Sequence, residues 1–289
     1  MTELRETVGF VGLGAIGAPL VESMLRAHLP IVVYDLDTAA VERMTSAGAV
    51  AASSLADLAG RCSLVSVCVP ADAHVRAVLD GPDGVLAHLA AGAVVAIHST
   101  VLPETTVWAA AAAEPYGVAV IEAAVTGGAA MAAEGRSTFL LGGAAADIER
   151  LEPVLAACAG VRIHAGPLGM ASRLKLCINL QTYATFMGVF EAATLATELG
   201  LPLDALKTAM QANGQLGEMT RNYMVLFDFG PAQLTDPATR TFLEGYANII
   251  EKDLDLITRL AAAATVPVPT AELAGRLARR VYRLEEPRT

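Results

Sequence analysis

A glycine-rich turn near the start of the chain constrains the fold most strongly. The apolar run Val8–Val11 leads directly into a G-x-G-x-x-G sequence, and an apolar helical pattern follows. The six residues of this turn are Gly12, Leu13, Gly14, Ala15, Ile16 and Gly17. Between a strand and a helix, this pattern is typical of dinucleotide-binding α/β domains. We therefore predict that the turn binds a pyrophosphate at the helix N-terminus.

Each glycine of the turn has its own predicted task. Gly12 permits the tight turn, and Gly14 lets the backbone approach the pyrophosphate closely. Gly17 allows the helix to pack against the strand. The N–H groups that begin the helix have no partner within it, so they can bind the anion.

Asp35, at the end of the second apolar run, indicates which dinucleotide binds. It follows Gly14 by about 20 residues, the spacing at which a carboxylate accepts the ribose hydroxyls of NAD. The additional 2′-phosphate of NADP would be repelled by on the order of 4 kcal/mol at ~4 Å and an effective dielectric of 20. No Arg or Lys occurs from Leu36 to Glu42 to offset this repulsion. We therefore predict that NAD is preferred and that NADP is the poorer cofactor.

Short apolar runs alternate with helical patterns through the first half of the chain. The candidate strands are Val8–Val11, Ile31–Tyr34, Leu64–Val69, Ala93–Ile97, Val118–Ile121 and Thr138–Leu141. Near-continuous apolar strands that alternate with helices are typical of parallel sheets with both faces covered. This alternation predicts an α/β Rossmann-type N-terminal domain with a mostly parallel sheet.

The pattern changes after Gly169, where long helical stretches replace the strand signals. The candidate helices are Met170–Leu199, Leu203–Asn213, Thr241–Ala264 and Thr270–Tyr282. Proline and glycine residues separate these stretches. We predict an NAD-binding domain over residues 1–167 and an all-α domain over residues 168–289, opened by a long interdomain helix.

The composition argues against several classes of function. The 289 residues include 20 Lys and Arg against 30 Asp and Glu, which gives a net charge of −10, and 54% are hydrophobic. This apolar content supports a large core. An acidic chain without basic clusters is not expected to bind nucleic acid or an anionic membrane surface. The four cysteines and five histidines show no metal-ligand spacing, so we predict no metal site. Polar or charged residues, glycine and proline interrupt the long apolar stretches, so we predict a soluble, cytoplasmic protein.

Lysine is rare, with three lysines among the 20 basic side chains. A lysine retained in an arginine-rich chain is a candidate for a titratable amine, because guanidinium keeps its proton. Lys175 precedes Asn179 by four positions, so the two side chains share one helix face. Partial burial in a cleft between the domains would suit Lys175 to proton transfer. The alternative is a helix lysine whose amine reaches solvent.

A second unusual segment, Glu122–Gly128, follows an apolar run and ends in Thr126, Gly127 and Gly128. Successive backbone N–H groups in such a segment suit a substrate carboxylate. A loop with no ligand is the alternative.

At this point the chain resembles the β-hydroxyacid dehydrogenases, the family of 3-hydroxyisobutyrate dehydrogenase. The resemblance extends over nearly the whole chain through ordered blocks. These blocks are the glycine turn, Val69-Pro70, Ser99–Pro103 (family S-T-x-x-P), Glu122–Gly128 (family D-A-P-V-S-G-G), Gly169–Asn179 (family G-x-x-x-x-x-K-x-x-N-N) and Lys252-Asp253-Leu254 (family K-D-L). The resemblance implies a reversible, NAD(P)-dependent oxidation of a small β-hydroxyacid.

The resemblance also implies the roles of individual residues. Lys175 is the expected catalytic acid and base, and Asn179 is expected to hold the substrate. The expected carboxylate-binding residues are Thr126, Gly127 and Gly128. The expected cofactor contacts beyond the turn and Asp35 are Val69, Pro70, Thr100 and Lys252. The C-terminal helices are expected to bind substrate and to join subunits into a homodimer or homotetramer.

The sequence departs from the family pattern around the substrate. Glu122, Ala124, Thr126 and Ile178 replace the usual Asp, Pro, Ser and Asn. Two alternatives therefore stay open. One is a related imine reductase that uses NADPH, although such enzymes carry Asp or Tyr where Lys175 stands. The other is a non-catalytic dinucleotide-binding scaffold.

Overall fold

The computed structural model describes residues 7–285, and the chain divides into two compact units, Met1–Lys175 and Leu176–Thr289. The division falls within one long helix, Met170–Glu198. The first unit is α/β, and the second is all-α over its described residues. Both predicted classes are confirmed.

One eight-stranded sheet forms the centre of the first unit. Its strands are β1 (Val8–Val11), β2 (Ile31–Tyr34), β3 (Val50–Ala51), β4 (Leu64–Val67), β5 (Val94–Ile97), β6 (Ala119–Thr126), β7 (Ser137–Gly142) and β8 (Ala159–Gly166). Their order in the sheet is β3-β2-β1-β4-β5-β6-β7-β8. The pair β6–β7 is antiparallel, and the other pairs are parallel. The sheet is therefore mostly parallel, as predicted.

Helices connect the strands of this unit. They are α1 (Gly17–Arg26), α2 (Thr38–Ser46), α3 (Leu55–Ala59), α4 (Asp72–Leu79), α5 (Pro103–Ala113), α6 (Gly128–Ala133), α7 (Ala145–Arg150) and α8 (Glu152–Cys158). Short 3-10 turns occur at Val85–Ala87 and Glu114–Tyr116. Helix α9 (Met170–Glu198) begins at the end of the unit.

The sheet has a hydrophobic core on each face. Phe10, Leu20 and Phe139 belong to one core, and Leu58 and Ile97 belong to the other. Every residue of β1, β4 and β5 is buried. Since side chains alternate between the two faces of a strand, a strand covered on both faces must be apolar throughout. This burial explains the continuous apolar runs in the sequence.

Up to residue 285, the second unit consists of the remainder of α9 and five further helices. These are α10 (Leu203–Ala212), α11 (Glu218–Met224), α12 (Pro231–Thr235), α13 (Pro237–Ala263) and α14 (Pro269–Val281), with a 3-10 turn at Val225–Asp228. Rings of Phe186 and Tyr223 stack with centroids 4.5 Å apart, and Tyr282 meets Tyr223 edge to face. This aromatic packing joins α9, α11 and the end of α14.

Three strands differ from the sequence-based expectation. β3 and β8 were not predicted, and β6 continues beyond Ile121 to Thr126. Within residues 7–285, no helix combines the length and the apolar character needed to cross a bilayer.

Candidate functional site

The strand order reverses direction between β1 and β4. Both strands are parallel and hydrogen-bonded to each other, so their carboxyl ends lie at the same edge of the sheet. Ligands of open α/β sheets bind in the crevice outside this edge, at the reversal. The glycine turn follows β1 at this position, and Val69 and Pro70 follow β4.

The three glycines of the turn have different surroundings. Gly12 has φ 98°, and an added Cβ there would lie 2.2 Å from the Cys68 carbonyl oxygen. A Cβ on Gly17 would lie 1.9 Å from the Gly12 carbonyl oxygen. A Cβ on Gly14, in contrast, would meet nothing within 4 Å. Gly12 and Gly17 are therefore required by the fold itself, whereas the space at Gly14 is open to a ligand.

Helix α1 begins at Gly17, and no side chain caps its N-terminus. Its first turn contains no acidic residue. The backbone N–H groups and the partial positive charge of the helix end are thus available to an anion. The structure places Leu13, Ala15 and Ile16 in the loop that leads to this end.

Asp35 lies directly after β2 and contacts the glycine turn. Its Oδ2 accepts a hydrogen bond from the Leu13 N–H, and its Oδ1 accepts one from the Asp37 N–H at 2.8 Å. Each carboxylate oxygen has two lone pairs, so both can accept a further hydrogen bond. Asp35 therefore ties the turn to the end of β2 and retains the capacity to bind ribose hydroxyls.

The segments after β4 and β5 are also joined. The Val69 N–H donates to the Ser99 Oγ at 2.8 Å, and Thr100 follows Ser99 directly. Val69, Pro70 and Thr100 thus lie at the carboxyl edge that carries the glycine turn. The structure brings together predicted cofactor contacts that the sequence places far apart.

Thr126, Gly127 and Gly128 form a sharp connection between β6 and α6. Thr126 is the last residue of the strand, and Gly128 is the first of the helix. Gly127 has φ 120° and Gly128 has φ 77°, conformations that other residues rarely adopt. A Cβ on Gly127 would lie 2.8 Å from the Met131 Sδ, whereas Gly128 has open space around it. The backbone at Gly128 is therefore accessible to a small ligand.

Lys175 lies in the second turn of α9 and is only 8% exposed. The other two lysines, Lys207 and Lys252, are partly exposed. Lysine is almost never fully buried unless its charge is compensated. Lys175 is therefore the lysine that the fold withdraws from bulk water.

Asn179 follows one helical turn later and belongs to a buried polar cluster of the second unit. Its Nδ2 donates to the Asp253 Oδ2 at 2.7 Å and to the Tyr183 hydroxyl at 3.3 Å. The Tyr183 hydroxyl donates to the same Asp253 Oδ2 at 2.6 Å. The Lys252 Nζ lies 2.8 Å from the other oxygen, Oδ1. Asp253 is only 2% exposed, so it is a buried carboxylate surrounded by donors.

This cluster fixes the orientation of the Asn179 amide. The donor end of the amide, Nδ2, faces Asp253 and Tyr183, so the Oδ1 atom lies on the opposite side of the amide. Burial raises the pKa of Tyr183 well above its ordinary value, and the Asp253 charge raises it further. The phenol therefore stays protonated and remains a donor to Asp253.

Lys252 was predicted as a cofactor contact, and the structure places it beside Asp253 in the second unit. Asp253 thus anchors Asn179, and the adjacent Lys252 supplies a positive charge beside the Asp253 carboxylate. No group of three or more His, Cys, Asp or Glu side chains in the described part of the chain could hold a metal ion.

Sequence reasoning missed two carboxylates, Glu122 and Asp253, as well as Tyr183. Glu122 is only 1% exposed in the middle of β6, and hydrogen-bond donors from the start of α9 surround it. The available signal was a single acidic residue inside an apolar run. For Asp253 the signal was its place in the K-D-L block, and for Tyr183 it was the spacing of four from Asn179.

The geometry of the first unit fits an NAD(P) dinucleotide. The open space at Gly14, the uncapped N-terminus of α1 and the half-buried Asp35 carboxylate supply the contacts that a pyrophosphate and an adenosine ribose need.

Comparison with known proteins agrees with this geometry. Residues 7–166 match the family model described as the NAD binding domain of 6-phosphogluconate dehydrogenase. The chain is 34% identical to the NAD-dependent L-serine dehydrogenase of Pseudomonas aeruginosa over 279 residues, which are 96% of this chain and 91% of that protein. It is 31% identical to the 3-hydroxyisobutyrate dehydrogenase of the same organism over 273 residues, 93% of this chain and 90% of that protein.

A solved structure shows the same likeness in three dimensions. The crystal structure of 3-hydroxyisobutyrate dehydrogenase from Salmonella typhimurium superposes with a TM-score of 0.83 at 30% sequence identity. The match includes 96% of this chain and 94% of that one. The likeness therefore extends over nearly the whole length of both chains.

Proposed function

Because the chain belongs to the β-hydroxyacid dehydrogenase family of NAD(P)-dependent oxidoreductases, we propose that it reversibly oxidises a small β-hydroxyacid to the semialdehyde or keto acid. One observation carries the proposal beyond the family. Lys175, a buried lysine, lies one helical turn before Asn179, whose amide is held in a single orientation. Oxidation of a C–OH group needs a group of this kind to take the hydroxyl proton.

The relatives suggest the substrate pattern. L-Serine and 3-hydroxyisobutyrate, for which the two Pseudomonas relatives are named, both carry a hydroxymethyl group on the carbon next to the carboxylate. We propose a substrate with the same pattern, in which the third substituent of that carbon differs between enzymes. Thr126, Gly127 and Gly128 bind the carboxylate in this proposal, and the accessible backbone at Gly128 supports that role.

Side chains of the protein itself transfer the proton of the substrate hydroxyl. In the oxidation direction Lys175 accepts the hydroxyl proton, and in the reduction direction its ammonium stabilises the developing alkoxide and then returns the proton. Asn179 holds the substrate in this proposal, and its Oδ1 is the atom left to do so because its Nδ2 faces Asp253 and Tyr183. When bound, the nicotinamide accepts or supplies the hydride.

For the cofactor we propose that NAD is preferred over NADP, with the adenosine ribose on Asp35. Gly12–Gly17 contact the pyrophosphate, Val69 and Pro70 line the dinucleotide, and Thr100 and Lys252 lie toward the nicotinamide. The half-buried Asp35 carboxylate supports the preference, because a 2′-phosphate beside it would meet an unfavourable charge.

We also propose a homodimer or homotetramer assembled through the C-terminal helices. Large apolar side chains are exposed in the second unit, among them Leu195 on α9, Leu199 directly after α9 and Phe242 on α13. Exposed apolar surface of this kind is typical of subunit interfaces. Light scattering should give a particle of at least twice the monomer mass, and a particle of monomer mass would contradict this assembly.

The central experiment is a steady-state screen of hydroxyacids with NAD and NADP, followed by substitution of Lys175. The panel contains 3-hydroxyisobutyrate, L-serine, 4-hydroxybutyrate, threonate and 3-hydroxypropionate as substrates for oxidation. Tartronate semialdehyde, an aldehyde, is assayed in the reduction direction with NADH and NADPH. We expect Lys175→Ala to lower turnover of the best substrate by about 10²- to 10⁴-fold, while NADH still binds. Lys207→Ala is the matched control, because Lys207 is a partly exposed lysine paired with Asp228 at 3.0 Å. Turnover of Lys175→Ala within tenfold of the parent would refute the assignment.

A further inference from the structure

Glu122 lies in the middle of β6, where a charged side chain is least expected. Its neighbours in register are Ile97 on β5 and Gly142 on β7. Lone buried carboxylates are costly, so a stable one needs several donors. The source of those donors shows what Glu122 does.

All but one of these donors come from the start of α9, and the other is Thr106 on α5. The Oε2 atom accepts from the Gly169 N–H at 2.8 Å and from the Ala171 N–H at 3.1 Å. The Oε1 atom accepts from the Ser172 N–H at 3.1 Å and also from the Ser172 hydroxyl. The Thr106 hydroxyl donates to the same oxygen at 3.1 Å. Glu122 thus satisfies N–H groups that a helix N-terminus leaves without intrahelical partners.

These bonds fix both the position and the rotation of the first turn of α9. Bonds to Gly169, Ala171 and Ser172 hold three points of one turn, and the negative charge is favourable at that end of the helix. Lys175 follows Ser172 by three residues and so lies above it on the next turn. Any displacement of the first turn therefore carries the Lys175 side chain with it.

The space for this carboxylate depends on Gly142. A Cβ added at Gly142 would lie 2.2 Å from the Glu122 Oε2 and 3.3 Å from the Ala171 Cβ. The family pattern that this segment resembles, D-A-P-V-S-G-G, has Asp at this position, and the Asp side chain is one methylene shorter than that of Glu122. The longer side chain of Glu122 therefore passes over a residue that must lack a side chain.

We propose that Glu122 is a positioning residue, which holds α9 so that Lys175 stands where it can transfer the proton. The proposal rests on the proposed function of Lys175. The hydrogen bonds of Glu122 described above all lie within the first unit, between β6, α5 and the first turn of α9. The same strand ends at Thr126, so β6 fixes both the lysine and the proposed carboxylate-binding turn.

Kinetics of Glu122→Gln give the first test. The glutamine amide has nearly the same shape as the Glu122 carboxylate. Its nitrogen is a hydrogen-bond donor, however, and would face backbone N–H groups. We expect kcat to fall about 10- to 100-fold while the Kd for NADH changes less than threefold. Ser23→Ala is the control for lost stability, because it removes a buried hydrogen bond to the Ala157 carbonyl in the same unit without touching α9. At matched melting temperatures the control should keep its kcat.

A pair of substitutions separates positioning from a general loss of structure. Gly142→Ala should displace the carboxylate and lower kcat like Glu122→Gln. Glu122→Asp withdraws the carboxylate by one methylene, so the double variant Glu122→Asp, Gly142→Ala should recover activity relative to Gly142→Ala alone. If Glu122→Gln does not fold, Glu122→Asp replaces it in the kinetic test. Absence of this recovery, with both variants folded, contradicts the proposal.

Amide hydrogen exchange tests the anchor without any substrate. The peptide containing Gly169, Ala171 and Ser172 should exchange at least tenfold faster in Glu122→Gln, and unchanged exchange would overturn the proposal. Lys175→Ala distinguishes the two failures. If Lys175→Ala keeps its turnover, the proposed function is wrong whatever Glu122 does. If Lys175→Ala is inactive and Glu122→Gln keeps kcat within threefold, only the positioning role is wrong.

Discussion

Asn179 donates its Nδ2 to the Oδ2 of Asp253 across 2.7 Å, in a cluster from which water is largely excluded. An amide can turn over and exchange its oxygen for its nitrogen with little change in shape. The Asp253 carboxylate removes this choice, because it only accepts hydrogen bonds. The orientation of Asn179 in the proposed site is therefore set by a residue 74 positions later in the chain.

We predict that Asp253→Asn lowers both activity and stability. Asn179 and Tyr183 donate to one oxygen and Lys252 lies at the other, so the nitrogen of the new amide must face either these two donors or the Lys252 ammonium. The substitution also removes the ion pair with Lys252. We expect a loss of about 1–3 kcal/mol in the free energy of unfolding and about a tenfold or greater loss of kcat. Urea unfolding and steady-state kinetics measure the two effects.

Tyr223→Phe provides the comparison for this prediction. It also removes a buried hydroxyl from the second unit, one that donates to the Val281 carbonyl at 2.9 Å. It should cost about 1 kcal/mol of stability and leave kcat unchanged. Equal kcat in Asp253→Asn and Tyr223→Phe would show that Asp253 does not act through Asn179.

The parts of the fold that the sequence predicts well are those with a local physical cause. The strand β1, the glycine turn and helix α1 follow from apolar burial and from close contacts at Gly12 and Gly17. The end of β6 was misjudged because Glu122 interrupts the apolar run. The strand continues through it because donors from α9, 47 to 50 residues later, satisfy the charge.

The strands β3 and β8 have weak local signals for different reasons. β3 has only two residues, Val50 and Ala51. β8 lies at the edge of the sheet, and Gly160, Arg162 and His164 interrupt its apolar pattern. The Asp253 cluster was equally hidden, because its members meet only after α9 and α13 pack. Long-range pairing of this kind leaves no periodic pattern in the sequence.

We predict that Asp35→Ser shifts the cofactor preference toward NADP. Removal of the charge relieves repulsion of the 2′-phosphate, so the ratio of kcat/KM for NADP to that for NAD should rise about 10²-fold or more. The serine hydroxyl retains one acceptor near the Leu13 N–H. Steady-state kinetics with both cofactors measure this ratio.

Asp37→Ser is the matched control for Asp35→Ser. Asp37 caps α2 through the Ala39 N–H at 2.9 Å, and serine can cap a helix as well. The change removes an equal charge two residues away without touching the ribose position. A similar shift in cofactor preference for both variants would mean that the general charge of this region decides the preference, rather than Asp35.

We predict that alanine at Gly14 weakens NADH binding without lowering stability, whereas alanine at Gly17 lowers the stability of the protein. Gly14→Ala meets no atom within 4 Å, so the protein alone should unfold at nearly the parental temperature. Its methyl group occupies the space proposed for the pyrophosphate, so NADH affinity should fall about tenfold or more. Gly17→Ala places a methyl group 1.9 Å from the Gly12 carbonyl oxygen and should destabilise the protein itself.

Thermal unfolding without cofactor and NADH titration separate the two glycines. Gly245→Ala is the control, since this exposed glycine lies within α13 and has nothing within 4 Å. It should raise stability by about 0.5–1 kcal/mol and leave NADH affinity unchanged. Unaltered NADH affinity in Gly14→Ala would contradict the pyrophosphate site.

His98 makes the stability of the first unit depend on pH. Its Nδ1 bonds to the Ala123 carbonyl oxygen at 2.8 Å and must donate, because that carbonyl only accepts. The ring stacks on Phe10 with centroids 5.8 Å apart and meets Phe139 edge to face. Burial lowers the pKa of His98 from 6.5 to about 4, so the folded protein keeps the ring neutral where the unfolded chain protonates it.

We therefore predict that stability is lost as the pH falls from about 6.5 toward 4. Below pH 6.5 the unfolded state binds more protons than the folded state, so each step down in pH favours unfolding. The His98 contribution between pH 7 and pH 5 is about 2 kcal/mol. Urea unfolding at these two pH values measures the fall in the free energy of unfolding. This fall should be about 2 kcal/mol smaller in His98→Gln than in the parent. The control His88→Gln, at an exposed histidine, should show the same fall as the parent. An equal pH dependence in parent and His98→Gln would mean that His98 does not enter the fold as a neutral ring.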